Sequence, residues 1–243
     1  MDWPLLKAVS RSFYLTLRLL PAPVRESIAL AYLLARISDT QADGADTPAE
    51  HELLRREEEI RGWLSASPDR TEIEQVWTTI REGQAFDGER FSRPEPLSLE
   101  ELDRYTYLVA GCVGEFWTIL CEKRLPGFAR KPASEMVPLG IRFGKGLQLV
   151  NILRDRSADL AKGRIYVREG DFADVLAQAR GHLQAAREYS KSVRIFRLRA
   201  ACALPFLLAE KTLDLVERNP TAARVKVSRS RVRLLFLRAL FFK

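Results

Sequence analysis

The amino-acid sequence predicts a single all-α domain covering residues 1–243. Apolar residues recur with helical spacing through most of the chain, and no stretch shows the alternation expected of a half-buried strand. Proline and glycine separate the helical stretches, as at Pro21 and Pro23. With 47% hydrophobic and 29% charged residues, the chain has an ordinary globular composition and enough apolar side chains for a sizeable core.

Each predicted helix follows from a local pattern. The second is apolar on nearly all sides and is therefore expected in the centre of the fold. Ser98, followed by Glu101, forms a capping-box pattern that starts a later helix, and a loop is expected around 87–96. The predicted helices cover roughly 4–19, 23–43, 48–66, 71–83, 98–123 and 132–164, with two or three more in 172–217.

Cysteine and histidine content excludes several classes of site. Cys112, Cys121 and Cys202 match no zinc or redox spacing, so we expect reduced thiols in a cytoplasmic protein. Two histidines, His51 and His182, are too few for a histidine metal centre and argue against a Ser-His-Asp triad. No apolar run is long enough to span a bilayer, and the N-terminal residues do not resemble a secretory signal. Chemistry must therefore depend on carboxylates, tyrosine, arginine and lysine, or on a metal held by oxygen.

Positive charge is concentrated at the C-terminal end. Residues 191–243 contain 13 Lys and Arg against three acids, a net +10 in a chain whose total is +7. Such a segment predicts an anionic partner, which the charge alone leaves open as nucleic acid, a membrane surface or a phosphorylated substrate.

Two acidic motifs of the form D-x-x-x-D end long apolar helices. "ISDTQAD" contains Asp39 and Asp43, and "LRDRSAD" contains Asp155 and Asp159. Carboxylates at i and i+4 share a helix face, with Cβ atoms about 5–6 Å apart. Their repulsion is relieved when a hard cation bridges them, and Mg²⁺ prefers such oxygen ligands together with phosphate oxygens.

Each motif extends into a polar stripe along its helix. The stripes are Tyr32, Arg36, Asp39 and Asp43, and Gln148, Asn151, Asp155 and Asp159. A polar stripe on an apolar helix is costly unless it is paired or lines a cavity, so two of them predict a pocket with a metal–diphosphate mouth and an apolar interior. Taken singly, each motif is also typical of a solvated helix end, and Asp155 lies between Arg154 and Arg156, which favours simple ion pairing.

Four ordered segments carry a family resemblance. "VSRSFYLTLRLLP", "YLLARISDTQAD", "YTYLVAGCVG" and "LQLVNILRDRSADLAKGRIY" resemble the successive signatures of squalene and phytoene synthases. The resemblance spans about 9–167, resumes in "RLRAACALPFLLAEKTLDL" and "RVKVSRSRVR", and is closest to squalene synthases. It implies the isoprenoid-synthase fold, a helical bundle around a central apolar cavity.

The resemblance also implies roles for particular residues. Asp39, Asp43, Asp155 and Asp159 match the catalytic aspartates that hold Mg²⁺. The residues matching substrate-binding and diphosphate-binding positions are Ser10, Arg11, Ser12, Phe13, Tyr32, Arg36, Gln148, Asn151, Arg154, Arg164, Lys226 and Arg229. Tyr105 matches an aromatic position of the pocket and is a catalytic candidate. Leu108 stands where squalene synthases often have a tyrosine, with Tyr107 one residue earlier as a catalytic candidate.

The implied activity is the Mg²⁺-dependent head-to-head condensation of two farnesyl diphosphates to presqualene diphosphate, followed by NADPH-dependent conversion to squalene. The alternatives within the family are phytoene synthase, dehydrosqualene synthase and an enzyme that stops at presqualene diphosphate. A remote alternative is a non-catalytic helical protein that binds anionic lipid or nucleic acid through its basic end. The enzyme hypothesis predicts a prenyl diphosphate partner and no nucleic acid.

The C-terminal segment, about 224–243, is basic and amphipathic. "RVRLLFLRALFFK" interleaves arginine with bulky apolar residues. One interpretation is a last amphipathic helix that packs on the core, which is the commoner arrangement. The other is peripheral contact with a membrane interface.

Overall fold

The protein folds into a bundle of twelve α-helices within the residues that the structure describes. This computed structural model describes residues 1–10, 13–91, 95–220, 222 and 225–242, without the side chains of Asp43 and Phe91. The helices are α1 Trp3–Ser10, α2 Phe13–Leu19, α3 Ala22–Asp43, α4 Pro48–Arg55, α5 Glu57–Ser65, α6 Arg70–Phe91, α7 Leu99–Thr106, α8 Cys112–Arg124, α9 Ala133–Ala161, α10 Phe172–Ser192, α11 Phe196–Arg218 and α12 Arg229–Leu240. Among these residues, extended pairing is limited to an isolated bridge between Ala129 and Val193. The predicted all-α class is confirmed.

The helix boundaries differ from the predicted ones at three places. The expected helix over 4–19 is two helices, α1 and α2, and the expected helix over 48–66 is also two, α4 and α5. The expected loop around 87–96 begins later, because α6 continues to Phe91. Gln84 and Asp87 in that last part of α6 hydrogen-bond to Asp39 and Tyr166, so tertiary contacts outweigh the local glycine and polar residues that suggested a loop.

The capping box at Ser98 is confirmed. The Ser98 Oγ accepts from the Glu101 backbone N–H at 3.1 Å, and the Glu101 carboxylate accepts from the Ser98 N–H at 2.8 Å. The predicted long helix follows as α7 and α8. Between them the chain forms one π-helical turn, Tyr107–Gly111.

Helix α3 lies in the middle of the bundle, as its all-round apolar sequence predicts. Leu33, Leu34 and Ile37 are fully buried. The helix contacts α1, α2, α4, α5, α6 and α8. On the other side, α9 packs against α8, α10 and α11, so the two helices that carry the acidic motifs are both supported along their lengths.

Glycines let α8 and α9 approach backbone to backbone. A Cβ placed on Gly114 would lie 1.9 Å from the carbonyl oxygen of Gly140, and one on Gly144 would lie 2.0 Å from the carbonyl oxygen of Ala110. Since real Cβ atoms essentially never come within 3.0 Å of a neighbour, only glycine fits at these two positions. The small residues around Gly114 therefore serve close helix packing.

The C-terminal segment ends in α12, which packs on the core through one side. Leu235, Ala239 and Phe242 are buried, and the Phe242 ring meets Phe206 edge-on at 5.8 Å. The prediction of a last amphipathic helix on the core is confirmed. Throughout the described ranges, no helix is long and apolar enough to cross a membrane.

The three cysteines are free thiols, as predicted. Cys112, Cys121 and Cys202 are all buried. Burial, with a smaller contribution from the Glu115 charge, raises the pKa of Cys112 to about 12, so this thiol stays protonated near neutral pH.

Candidate active site

A cavity of about 450 Å³ lies between α3, α6 and α9. Polar side chains from all three helices line it, together with two aromatic rings. The polar and aromatic side chains that bear on its chemistry are Arg36, Asp39, Gln84, Asp87, Tyr105, Gln148, Asn151, Asp155, Asp159, Arg164 and Tyr166. Apolar side chains including Ile80, Val109, Val113 and Ile152 complete the wall. The cavity thus combines acidic, cationic and apolar surfaces.

The two predicted polar stripes meet across this cavity. Arg36 and Asp39 face it from α3, and the whole stripe from Gln148 to Asp159 faces it from α9. Tyr32 lies beside it instead, in an adjoining cavity of about 250 Å³ that also contacts Ser10, Arg36 and Asp39. The side chain of Asp43 is outside the described residues.

Arg36 is held at the cavity wall by Glu50. Its guanidinium forms an ion pair with the Glu50 carboxylate and lies 3.8 Å from Asp39 Oδ2. Glu50 also accepts hydrogen bonds from the backbone N–H groups of Asp46 and Thr47 at the start of α4. Burial alone would raise the pKa of Glu50, but these hydrogen bonds and the Arg36 charge outweigh it and lower the pKa. Glu50 is therefore an ionised anchor for Arg36.

The sequence analysis did not single out Glu50. The signal was present as the pattern Thr47-x-x-Glu50, a capping box that the structure confirms. What the pattern does not show is that the same buried carboxylate reaches across to Arg36.

Asp155 and Asp159 place two negative charges on one face of α9. Asp159 is partly buried, and its burial together with the Asp155 charge raises the pKa of the Asp159 carboxyl, against the opposing effect of Arg164. Asp155 is paired with its neighbour Arg154, whose Nε donates to Oδ1 at 2.9 Å. Arg154 thus contacts Asp155 rather than lining the cavity, which leaves its matched role in binding diphosphate as a prediction.

Helix α6 supplies a third side of the site that sequence reasoning missed. Gln84 Nε2 donates to Asp39, and the Tyr166 hydroxyl donates to the Asp87 carboxylate at 2.9 and 3.0 Å. Gln84 and Asp87 are three residues apart on an otherwise mostly apolar face with Ile80. The same spacing of polar residues marks the stripes on α3 and α9, so it could have identified this third stripe from the sequence.

Tyr105 and Tyr166 form an aromatic pair in the cavity wall. Their ring centres are 5.3 Å apart in a stacked arrangement, and the Phe86 ring also stacks with Tyr105, with 6.1 Å between centres. Burial raises the pKa of both tyrosines above its usual range, and the nearby Asp87 charge adds to the effect. The two phenols therefore remain protonated near neutral pH.

Tyr107 does not line the cavity, and its role as a catalytic candidate stays a prediction. Its hydroxyl donates to Glu115 Oε2 at 2.8 Å, in a separate pocket beside Cys112 and Phe116. Leu108 is buried against Gly83 of α6. The π-helical turn starts at Tyr107 and changes the phase of the helix, so the residues that follow present Val109 and Val113 to the cavity.

The N-terminal residues surround the adjoining cavity. Ser10 lines it, and its buried hydroxyl has no hydrogen-bond partner among the described residues. The Phe13 ring lies 5.0 Å from the Tyr32 ring, and the Tyr32 hydroxyl donates to the Val9 carbonyl at 3.1 Å. Arg11 and Ser12, which were predicted to bind diphosphate, lie outside the described residues.

The basic residues of the C-terminal segment lie elsewhere. Lys226 lines a groove of about 480 Å³ between α11 and α12, together with Lys211 and Arg231. Arg229 is exposed at the first residue of α12. The structure does not bring either residue into the central cavity, although Arg164 does line it. The matched role of Lys226 and Arg229 in binding diphosphate therefore stays a prediction.

The donor set of the cavity fits Mg²⁺ that is shared with a diphosphate. The described side chains contain no cluster of three or more His, Cys, Asp or Glu residues close enough to enclose a metal by themselves. They do provide the Asp155 and Asp159 pair, whose mutual repulsion a cation relieves, with Asp39 on the facing helix. Mg²⁺ commonly takes only one or two carboxylates and completes its shell with water and phosphate oxygens.

Several known proteins are similar to this chain in sequence. The sequence profile of the family described as squalene/phytoene synthase matches residues 6–169 and 170–234. A squalene synthase of Schizosaccharomyces pombe is 25% identical over 93% of this chain and 61% of its own length. A presqualene diphosphate synthase of Rhodopseudomonas palustris is 30% identical over 66% of this chain and 59% of its own. The chain thus spans about three fifths of the length of these relatives.

A solved structure supports the fold. The complex of TcSQS with the ligand BPH1237 superposes with a TM-score of 0.83 at 21% identity, covering 98% of this chain and 85% of that one. The bundle is therefore the all-α isoprenoid-synthase fold that the resemblance implied. Together with the match along almost the whole sequence, this shows that the chain belongs to the squalene/phytoene synthase family of prenyltransferases.

Proposed function

We propose that this protein catalyses the Mg²⁺-dependent head-to-head condensation of two farnesyl diphosphates to presqualene diphosphate, and then its NADPH-dependent conversion to squalene. The observation that supports this most is the meeting of two aspartate stripes across one cavity that also has an aromatic and apolar wall. Such a cavity suits a substrate with an anionic diphosphate at one end and an apolar chain at the other.

The acidic and cationic residues would bind the diphosphates. Asp39, Asp155 and Asp159 would hold Mg²⁺, which neutralises the diphosphate and favours its departure when bound. Arg36 and Arg164 offer guanidinium groups at the same cavity, a donor geometry that suits phosphate oxygens. When the C1–O bond of one farnesyl diphosphate breaks, its electron pair leaves with the diphosphate and an allylic cation remains.

The remaining walls would protect that cation. Ile80, Val109 and Val113 exclude water from the cavity, and the stacked rings of Tyr105 and Tyr166 offer π-faces that attract positive charge. The double bond of the second farnesyl diphosphate then attacks the cation. Loss of a proton gives the cyclopropane of presqualene diphosphate.

NADPH would serve only the last step, as a hydride donor to the cation that forms after the second ionisation. No Gly-rich dinucleotide fingerprint is found in the sequence, and we assign no residue to NADPH binding. The same cavity also suits phytoene synthase, dehydrosqualene synthase and an enzyme that releases presqualene diphosphate, which are the alternatives. The product identifies which of them applies.

The decisive experiment is a product assay. The protein is incubated with farnesyl diphosphate and Mg²⁺, with and without NADPH, and in parallel with geranylgeranyl diphosphate. Squalene that forms only with NADPH supports the proposal. Presqualene diphosphate in both conditions, or phytoene from geranylgeranyl diphosphate, favours the corresponding alternative. If neither substrate is consumed, prenyl transfer is excluded.

Variants then link the activity to the cavity. Asp39→Asn and Asp155→Asn each remove one carboxylate while preserving its shape, and we expect at least a hundredfold loss of turnover from each. Glu122→Gln is the matched control, because Glu122 is an exposed acid on α8 away from the cavity. If the two asparagine variants and the control had equal activity, the assigned site would be wrong even if the enzyme were active.

A further inference from the structure

Closure of the cyclopropane ring releases a proton into a cavity whose carboxylates are mostly assigned to Mg²⁺. Four carboxylates line the cavity in the described part of the chain, and Asp39, Asp155 and Asp159 are the three that would hold the metal. The fourth is Asp87, near the end of α6. Because a metal ion engages the lone pairs of the carboxylates that bind it, Asp87 is the one left available to accept a proton.

A chain of hydrogen bonds connects Asp87 with the aromatic wall of the cavity. The Tyr166 hydroxyl donates to both carboxylate oxygens of Asp87, at 2.9 and 3.0 Å. The hydroxyls of Tyr166 and Tyr105 also share a hydrogen bond. A phenol has one proton to donate, and that of Tyr166 goes to Asp87, so Tyr105 is the donor in the second bond. The chain therefore runs from Tyr105 through Tyr166 to Asp87.

The structure holds the members of this chain in place from three separate segments. Asp87 belongs to α6, Tyr105 to α7, and Tyr166 to the connection that follows α9. The stacking of the two tyrosine rings fixes their mutual orientation, and Tyr105 is only 6% exposed. All three side chains line the same cavity, so the chain reaches the space that the reacting carbon atoms would occupy.

The order of the groups suits a proton transfer beside a cation. A carboxylate in contact with an allylic cation could attack it and form an ester, because carboxylates are effective nucleophiles in enzymes. Two neutral phenols can pass a proton on while they keep the carboxylate apart from the cation. Burial is the main reason why the pKa of each tyrosine is raised, and both phenols are therefore neutral before the reaction.

We propose that Asp87 is the final acceptor of the proton lost during ring closure, which reaches it through Tyr105 and Tyr166. The proposal rests on the proposed function. The electron pair of the broken C–H bond forms the new C–C bond of the ring, and the proton binds to the Tyr105 oxygen. The original Tyr105 proton passes to Tyr166, and the Tyr166 proton passes to Asp87, which becomes a neutral acid. Tyr105 is then the catalytic residue, and Tyr166 and Asp87 are positioning residues that act through it.

Asp87→Asn distinguishes this route from transfer of the proton to the departing diphosphate. The amide oxygen can still accept the Tyr166 hydrogen bond, but an amide cannot take up the proton. With Mg²⁺ and the prenyl diphosphate that the wild type consumes, we expect turnover to fall roughly a hundredfold while KM changes less than about threefold. Asp87→Glu keeps a carboxylate and should recover about a tenth of the wild-type turnover or more. Turnover of Asp87→Asn within about threefold of the wild type overturns the proposal.

Isotope exchange within the substrate shows which step is lost. The substrate carries an oxygen label between C1 and phosphorus, and each ionisation that is followed by return moves the label to a non-bridging position. A cation that cannot lose its proton returns more often, so Asp87→Asn and Tyr166→Phe should raise the ratio of exchange to product about tenfold or more. Asp155→Asn should instead lower exchange and product together, because it impairs ionisation. An unchanged ratio in Asp87→Asn overturns the proposal, since a purely structural role would also slow ionisation.

Asp174→Asn is the matched control. Asp174 is an exposed acid on α10, whose described side chains do not line the cavity, so turnover and exchange ratio should equal those of the wild type. Circular dichroism verifies that every variant is folded. A loss in Asp174→Asn as large as that in Asp87→Asn overturns the assignment. If the wild type consumes no prenyl diphosphate, the proposed function fails, whereas an active wild type with an equally active Asp87→Asn refutes only the proton route.

Discussion

Replacing Gly114 by alanine should destabilise the protein through the contact between α8 and α9. The added Cβ would lie 1.9 Å from the Gly140 carbonyl oxygen, which is backbone and has no rotamer to escape into. Restoring a 3.0 Å separation requires the two helices to shift by roughly 1 Å, and overpacking of this kind costs about 1–3 kcal/mol or more. Alanine has a better helix propensity than glycine by about 1 kcal/mol, which offsets part of the cost. Because the contacted atoms are backbone, the upper end of the overpacking cost applies, which leaves a net loss of about 2 kcal/mol.

Gly62→Ala provides the matched comparison. Gly62 lies in α5, and a Cβ added there would have no atom within 4 Å, so the propensity gain acts alone and should stabilise the protein by about 0.5–1 kcal/mol. Urea unfolding followed by circular dichroism measures both variants. Gly114→Ala should lower the midpoint and Gly62→Ala should raise it. If Gly114→Ala were as stable as Gly62→Ala, the proposed backbone contact would not exist in solution.

Three further predictions concern polar groups. Tyr166→Phe removes the hydroxyl that donates to Asp87, and should lower the free energy of unfolding by about 1–2 kcal/mol; an unchanged urea midpoint would contradict this hydrogen bond. Burial lowers the pKa of His182 in the folded protein to about 4. Between pH 6.5 and 4 the unfolded chain therefore binds a proton at His182 that the folded protein does not. The contribution of His182 to the free energy of unfolding should therefore fall by about 1–2 kcal/mol as the pH drops from 6.5 to 4, a range that allows for solvent screening. Urea unfolding at several pH values measures this, and the free energy of unfolding should depend less on pH in His182→Gln. Glu50→Gln leaves an acceptor for the capping box but removes the charge that pairs with Arg36, and should cost about 1–3 kcal/mol; in a double-mutant cycle with Arg36→Gln, the two losses should not add.

Local sequence patterns were sufficient for the fold class and for much of the site. Helical periodicity predicts the all-α bundle, and an apolar sequence on nearly all sides predicts the central position of α3. The i, i+4 spacing of Asp155 and Asp159 places both carboxylates on one helix face whatever the surrounding structure. These features depend only on neighbours within one or two turns.

Contacts between distant segments could not be derived in this way. The contribution of α6 to the cavity depends on the hydrogen bond between Asp87 and Tyr166, and these two residues are far apart in the chain. The position of Lys226 depends on how α12 packs against α11, and a basic residue in a matched motif does not specify that geometry. That Tyr107 points away from the cavity could not be derived, because a π-helical turn has no clear local signature in the sequence.

That π-helical turn sets the rotational phase between α7 and α8. A π turn accommodates one residue more than the α-helix would, and each residue of an α-helix corresponds to about 100° of rotation. If all five residues of Tyr107–Gly111 formed an ordinary α-helix instead, α8 would be turned relative to α7 by about this angle. Tyr105 and Val113 would then no longer face the same cavity. The wide turn itself, and not only the side chains in it, thus decides which residues of α8 line the cavity.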